Sequence, residues 1–465
     1  MQIYYHCDYD YFYYDWKKIA DFKEGSKKVK FEGEEYLPKL SNQTESEYFS
    51  YKNRAMYVNF TSKIIAAISG QLLRKEPIIK FTPESDTFSI LLDNITSNNK
   101  DIYYLTRNVV NEVVTYSRCG LLVDLPQEGG APYVSLYNTF NIINWKVDEL
   151  GNLIYVLLRE EYEKNCDEFL FHEKIYKYRL LYLDENKIYK QKIYFEGKNK
   201  QLLEESEITP IINGINLNFI PFQFIGAENL DADVNKPFII DVVDISHSHY
   251  MSSANYEQAL FLSSQPTPVI TGFENKNEDT FLVGSNHTWC FGDPNVTVNY
   301  LEASFSGINE LKNSLDNKEV MIAKLGSRIL SGEKNVGESA ESKMLNNFAE
   351  KSILENISIN ISNGILNVLY WMVEILFPNN NIVIDFALNK DFDISEIDPS
   401  QLSILLTAYE KKIISFNELY LYLVRKEIID VSKTQDILIN EINNNPISTN
   451  AQTLPQQEVG EEIGE

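Results

Sequence analysis

The chain has 465 residues, of which 44% are hydrophobic and 12% aromatic, enough for two or three folded cores. Its formal net charge of −25 argues against tight binding of nucleic acid, because such affinity comes largely from Lys and Arg side chains that neutralise phosphates. Four widely spaced cysteines without a CxxC pair predict neither a disulfide framework nor a zinc site. No apolar run reaches the ~18 residues expected of a membrane helix, and the N-terminus lacks the features of a signal peptide.

The first quarter of the chain predicts irregular structure and then helices. Residues 1 to 40 are rich in Tyr and predict no regular element. The stretch from Asn42 to Lys75 predicts one long helix that ends before Pro77, because apolar residues recur at every fourth position. This apolar stripe consists of Met56, Phe60, Ile64, Ile68 and Leu72. A second helix is predicted from about Asn98 to Tyr116.

Short runs rich in Val, Ile, Tyr and Phe follow, separated by polar and glycine turns. They predict a β-meander of antiparallel strands. The runs are CGLLVDLP, PYVSLYNTFNIINW, NLIYVLLREEY, EFLFHEKIYKYRLLYL and KIYKQKIYFEG. The stretch from Phe219 to Glu228 predicts one more apolar strand.

Two predicted helices then flank a small β unit. The first covers residues 237–264, with Pro237 in its first turn. Residues 265–303 contain three β-like runs, VITGF, HTWCFG and VTVNYL, with glycine and proline turns. The second helix, Phe305 to Leu330, has apolar residues in steps of three, four or seven.

The last part of the chain predicts a very long helix and a helical module. Apolar residues from Ser339 to about Leu376 form a continuous stripe, and at ~1.5 Å per residue this helix is about 55 Å long. IVIDFALNKDF predicts a strand, and Asp398-Pro399 and the capping box Ser415 to Glu418 start helices within residues 397–442. Residues 443–465 predict a disordered acidic tail. Overall these elements predict an α+β protein.

The loop before the long helix, GEKNVGES from Gly332 to Ser339, has the glycine spacing of a phosphate-binding loop. However, Glu338 stands where lysine should reach, and a carboxylate there would repel a nucleotide. The preceding segment also predicts a helix rather than the required strand. We therefore expect a flexible loop between helices, and no nucleotide.

No motif in the sequence predicts an active site. GxSxG, HExxH, CxxC and GxGxxG are absent. His247 and His249 lie two residues apart, so on a helix they point in different directions, and we expect surface or interface polarity there. His6 and His172 predict no metal site either. The sequence thus predicts no enzyme, no cofactor and no metal, although a carboxylate pair could still form in the fold.

The order of these elements resembles that of the portal proteins of tailed bacteriophages. Four stretches in the same order are similar to one phage portal-like family first catalogued without a function. They are YLPKLSNQTESEYFSYKNRAMYVNFT with GQLLRKEP, QPTPVITGF, LGSRILSGEKNVGESAESKM, and LNKDF with KKIISFNELYLYLVRKEII. The resemblance covers about Tyr36 to Asp430.

The resemblance implies a portal fold with an α/β wing and a two-helix stem. Its parts would be the wing at 1–236, the first stem helix at 237–264, the clip at 265–303, the second stem helix at 304–330, the tunnel loop at 331–338, the spine helix and a wing strand at 339–396, and the helical crown at 397–442. The 265–303 segment is short for a clip.

The resemblance also implies a function. A ring, usually of twelve subunits, would sit at one capsid vertex of a virion after assembly in the host cytoplasm. Double-stranded DNA would be packaged and ejected through its channel, and the partners would be the large terminase, the capsid or scaffold protein and a head-tail adaptor, with no membrane. The alternatives are another head-tail structural protein without a DNA channel, and an enzyme whose site forms only in the fold.

Particular residues carry these expectations. The tunnel loop would touch DNA weakly, and it consists of Gly332, Glu333, Lys334, Asn335, Val336, Gly337 and Glu338. The subunit contacts expected along the stem and clip are Trp289, Phe291, Ile322 and Leu325.

Overall fold

The computed structural model describes most of the chain, in two compact units. The units are Met1–Phe392 and Asp393–Glu465. The described residues are 3–84, 86–126, 130–165, 172–196, 202–212, 215–264, 267–272, 281, 288–301, 306–330, 340–378, 381–390, 392, 399–425, 428–429 and 433–444.

The first unit is α+β, as predicted. Its helices are α1 (Cys7–Glu24), α2 (Ser26–Glu32), α3 (Glu45–Arg54), α4 (Phe60–Leu72), α5 (Asp86–Asp93), α6 (Ile102–Tyr116), α7 (Ile240–Ser263), α8 (Ser306–Leu330) and α9 (Ala340–Leu376). Its strands are β1 (Ile78–Thr82), β2 (Arg118–Asp124), β3 (Tyr133–Asn138), β4 (Ile142–Val147), β5 (Leu153–Asn165), β6 (His172–Leu183), β7 (Tyr189–Glu196), β8 (Leu202–Ile208), β9 (Ile211–Ile212), β10 (Ile215–Asn216), β11 (Phe222–Gly226), β12 (Thr267–Thr271), β13 (Thr297–Leu301) and β14 (Val383–Ala387).

The N-terminal segment is helical, so the prediction of irregular structure for residues 1–40 is wrong. Trp16, Ile19 and Phe22 lie on one side of α1 and are fully buried. Their burial outweighs the modest helix propensity of the many Tyr residues around them.

The predicted helix from Asn42 to Lys75 is also wrong, because the chain forms two helices there. The backbone becomes extended at Ala55, with φ −53° and ψ 129°. Asn59 then starts α4 by accepting a hydrogen bond from the Ser62 amide at 2.9 Å. Met56, expected on the apolar stripe, lies in this break and is 57% exposed.

The predicted β-meander is confirmed and divides into two sheets. β4 to β8 pair in sequence order as a five-stranded antiparallel sheet. β2 and β3 belong instead to a three-stranded sheet in the order β11-β2-β3, which includes the strand predicted after Phe219. β1 and β14 form a separate pair, with Ile78 opposite Ala387.

The long helix α9 has 37 residues and lies along the core. Its stripe is confirmed at the fully buried residues Ile357, Ile361, Ile365, Leu369 and Met372. The stripe does not include Ile353, which is 41% exposed, because Leu354 takes the buried position. Within the described residues, the segment Ile353–Leu376 is the one helix long and apolar enough to cross a membrane, and half of its most apolar window is buried against the rest of the chain.

The second unit contains three helices in its described part. They are α10 (Pro399–Glu410), α11 (Phe416–Arg425) and α12 (Gln435–Asn444). Pro399 is the first helical residue, as predicted, and the capping box is present, since Ser415 and Glu418 exchange backbone and side-chain hydrogen bonds. The predicted acidic tail, from residue 445 on, lies outside the described residues.

Candidate functional site

The two predicted helices and the β unit between them form one long antiparallel hairpin, which we call the stem hairpin (α7, β12, β13 and α8). The Lys318 ammonium on α8 donates hydrogen bonds to the Ser248 carbonyl oxygen, at 3.3 Å, and to the Ser252 hydroxyl on α7. Further along, Thr267 pairs with Leu301. In each of these contacting pairs the two residue numbers average about 284. The helices and the strands therefore belong to one hairpin, whose chain reverses direction near residue 284 in the sequence.

One of the two histidines of α7 contributes to this packing. His249 is 4% exposed, and its Nε2 lies 3.3 Å from Oε1 of Glu319 on α8. Burial lowers the pKa of His249, against the opposing effect of Glu319. Nε2 of His247 lies 2.9 Å from the Tyr36 carbonyl oxygen. We expected surface or interface polarity, and His249 lies inside the α7–α8 interface rather than at the surface.

The β unit at the end of the hairpin is smaller than predicted. β12 and β13 correspond to VITGF and VTVNYL, whereas the described part of HTWCFG, residues 288–292, is not a strand. Its half-buried rings instead pack around Phe281, whose centroid is 5.6 Å from that of Trp289 and 5.7 Å from that of Phe291. These aromatic residues lie together near the turn of the hairpin.

The apolar residues of α8 divide between the interior and the surface. Ile322 is 2% exposed and belongs to the main core, and Leu325 packs against the same core. Val320 and Met321 are about half exposed, at 52% and 51%. Of the residues predicted as subunit contacts, Ile322 is therefore enclosed by its own subunit.

The predicted tunnel loop, Gly332 to Glu338, lies outside the described residues. The helix that follows it is firmly held. On α9, the Ser358 hydroxyl donates to the Asn389 carbonyl oxygen at 2.8 Å, and the Ser362 hydroxyl accepts from the Leu388 amide at 2.9 Å. Gly364 lets the helix approach β11, since a Cβ there would lie 2.5 Å from Cγ1 of Ile225.

A separate cavity of about 630 Å³ lies beside the five-stranded sheet. Its polar lining includes Asp124, Lys177, Arg179 and Gln191, which come from β2, β6 and β7. Glu160 on β5 joins the same network, since its carboxylate lies 3.0 Å from Nε of Arg179 and 3.1 Å from Nζ of Lys177. The sequence did not predict this cluster, because its members meet only through strand pairing.

The charges of this network compensate one another. Burial acts to raise the pKa of Glu160, but Arg179 and Lys177 outweigh it and hold the pKa below its ordinary value. Burial opposes the charge on Arg179, yet Tyr137, Glu160 and Asp124 raise its pKa. Because Glu160 and Arg179 both stay charged, their ion pair stabilises the contact between β5 and β6. Groups that keep their ordinary charges give no reason to propose acid–base catalysis.

Comparisons with known proteins give the following similarities. A family model described as "Domain of unknown function (DUF4055)" matches residues 238–376, which include the stem hairpin and α9. No curated protein matches the chain.

Three solved structures show distant similarity. The "Neck of empty GTA particle computed with C6 symmetry" aligns with a TM-score of 0.39 and 8% identity, over 83% of this chain and 94% of that chain. The "Virion of native gene transfer agent (GTA) particle" gives 0.38 and 9%, over 85% and 98%. The "Neck of native GTA particle computed with C12 symmetry" gives 0.37 and 7%, over 78% and 89%.

Proposed function

We propose that this chain is a phage portal protein, a subunit of a ring at one capsid vertex through which double-stranded DNA is packaged and ejected. The observation that carries the proposal is the order of elements. Two helices, α7 and α8, form a hairpin that has the two strands β12 and β13 at its end. Residues 331–339 connect this hairpin to the 37-residue helix α9, which packs in the core of the α+β unit. This order is the one that the sequence resemblance implies. The large terminase, the capsid or scaffold protein and a head-tail adaptor would then be its partners, during assembly or in the virion.

The surface of the stem hairpin offers the contacts that a ring requires. Val320 and Met321 on α8 and Val269 and Val298 on the two strands are apolar and more than a third exposed. An isolated two-stranded sheet is marginally stable, and additional strands or packing stabilise it. We propose that neighbouring subunits cover these residues together with Trp289 and Phe291, because head-to-tail contacts that close generate a ring.

The tunnel loop would project into the channel of this ring. Gly332 and Gly337 would act as hinges, since glycine adopts backbone angles closed to other residues. Lys334 would touch phosphates, and Glu333 and Glu338 would keep that contact weak, as a channel for moving DNA requires.

Electron microscopy in negative stain, with a mass measurement on the same sample, tests the ring. We expect rings with a central hole and a mass of about twelve subunits. A monomer at every concentration and salt tested would remove the main support for a channel and would favour a head-tail protein without one.

Aspartate substitutions locate the interface. Val320→Asp with Met321→Asp should abolish rings and leave the circular dichroism spectrum of the subunit unchanged. Leu150→Asp is the matched control, because Leu150 is 87% exposed but lies outside the hairpin. Ile322→Asp should instead unfold the subunit, since a buried Ile contributes about 2–5 kcal/mol and a buried unpaired charge is costly. Intact rings from the Val320/Met321 variant would refute this interface.

The hinge role is tested by Gly332→Ala with Gly337→Ala in a DNA packaging assay. The variant should assemble normally and package DNA more slowly. Normal packaging rates from normal rings would show that the two glycines are not hinges.

A further inference from the structure

The start of α1 gathers three side chains with metal-binding atoms. His6 Nδ1 lies 3.8 Å from the Cys7 sulfur and 3.6 Å from Oδ2 of Asp8, and the Cys7 sulfur lies 3.7 Å from Oδ1 of Asp8. From the sequence we expected no metal site at His6. In the structure, however, His6, Cys7 and Asp8 bring three potential ligand atoms within 4.8 Å of one another.

These separations are slightly longer than the edges of a tetrahedral zinc site. Zinc binds His nitrogen at about 2.05 Å, Cys sulfur at about 2.3 Å and carboxylate oxygen at about 2.1 Å, so tetrahedral angles place the ligand atoms about 3.4–3.6 Å apart. The His6–Cys7 distance exceeds its value by only a few tenths of an ångström. The two Asp8 contacts involve different carboxylate oxygens, so with a single Asp8 oxygen the three ligand atoms lie within 4.8 Å of one another, and a small rotation of the Asp8 carboxylate would complete the site. We propose that His6, Cys7 and Asp8 form a zinc-binding site with one coordination position open to water.

The histidine is held in a suitable orientation and tautomer. Its ring stacks on Trp145, with centroids 3.9 Å apart, and its backbone amide donates to the Ile143 carbonyl oxygen at 3.0 Å. Nδ1 accepts a hydrogen bond from the Asp8 amide at 3.2 Å, so the ring proton is on Nε2 and the lone pair is on the nitrogen that faces the other two ligands. Zinc would replace this long hydrogen bond.

Charge and access also suit a divalent cation. The Cys7 side chain is exposed and the cysteine is free, so a metal can reach it from solution. Binding Zn²⁺ displaces the thiol proton, and the thiolate, the Asp8 carboxylate and the neutral imidazole together neutralise the ion. Two anionic ligands in the first turn are favourable at the positive end of α1. The mixed nitrogen, sulfur and oxygen donors favour zinc over magnesium or calcium.

Cobalt(II) titration of the full chain tests this site, because a thiolate ligand gives cobalt an intense charge-transfer absorption band. We expect the band to saturate at one cobalt per chain and to disappear when zinc is added. Cys7→Ser should remove the band and weaken zinc binding at least tenfold, without affecting the fold at this exposed position.

Two variants serve as controls. Cys290→Ser removes the other exposed cysteine among the described residues, and Asp10→Asn removes an exposed carboxylate outside the cluster. Both variants should bind cobalt and zinc as the wild type does. Absence of the band in the wild type, or its persistence in Cys7→Ser, would overturn the proposal. The outcome is independent of whether the protein forms a ring.

Discussion

Replacing Glu112 by Gln should stabilise the protein at alkaline pH and have little effect in acid. Glu112 lies on α6, and its Oε2 has no hydrogen-bond partner among the described residues. Burial raises the pKa of Glu112 from its ordinary 4.5 to about 7, and the Lys23 ammonium only partly opposes this. The folded protein therefore carries a carboxylate that is penalised when it ionises, and Gln removes the charge while keeping the shape.

The magnitude and direction follow from proton linkage. One pKa unit is worth about 1.4 kcal/mol, so a pKa of about 7 in place of 4.5 corresponds to about 3 kcal/mol. Since Glu112 is half-buried and water screens part of its charge, we expect about 2 kcal/mol. Between pH 4.5 and about 7 the folded state binds more protons than the unfolded state, so wild-type stability falls as the pH rises through this window.

Urea denaturation of wild type and Glu112→Gln at about pH 5 and pH 8 measures the effect. The stability advantage of the variant should grow by about 2 kcal/mol between the two conditions. Glu149→Gln, at an exposed turn, is the control and should show no such growth. An advantage that is the same at both pH values would show that Glu112 titrates normally and would refute the reasoning.

Two further predictions concern glycine packing and helix capping. Gly364→Ala should destabilise the protein by about 1–3 kcal/mol, because the new Cβ would lie 2.5 Å from Ile225 Cγ1. Gly70→Ala should be neutral or stabilising by up to about 1 kcal/mol, because a Cβ there would have nothing within 4 Å. Equal melting temperatures of the two variants would contradict this prediction. Ser415→Ala should cost α11 about 1 kcal/mol, measured as faster hydrogen exchange of its amides, and unchanged exchange would show that the cap contributes nothing.

The sequence predicted elements whose burial follows a local period and missed those that depend on distant partners. The stripe of α9 was predictable because residues such as Ile357 and Ile361 recur on one helix face. β1 was not, since Ile78 is 59% exposed and the strand exists only through its pairing with β14, some 300 residues away. The Asp124–Arg179 network was unpredictable for the same reason.

The N-terminus shows a different kind of miss. Residues 1–40 predicted irregular structure because Tyr dominated their composition, although Trp16, Ile19 and Phe22 already had a helical spacing. The neighbouring His6, Cys7 and Asp8 match no familiar metal-binding motif, because such motifs place their ligands apart in the chain. Only the backbone, extended at His6 and helical from Cys7, turns three consecutive side chains toward one point.

For the stem hairpin, the sequence predicted which residues share a helix face but could not predict what covers that face. Ile322 and Leu325 recur at helical spacing, and the same pattern would arise from contacts within a subunit or between subunits. In the structure, the contacts of Ile322 are within its own subunit, because α8 packs closely on α4. A Cβ at Gly326 on α8 would lie only 3.0 Å from Cδ1 of Ile64 on α4. The surface available to a neighbouring subunit is therefore the other side of α8, at Val320 and Met321. Loss of rings in Ile322→Asp would report only on folding, so the assembly proposal depends on the exposed pair.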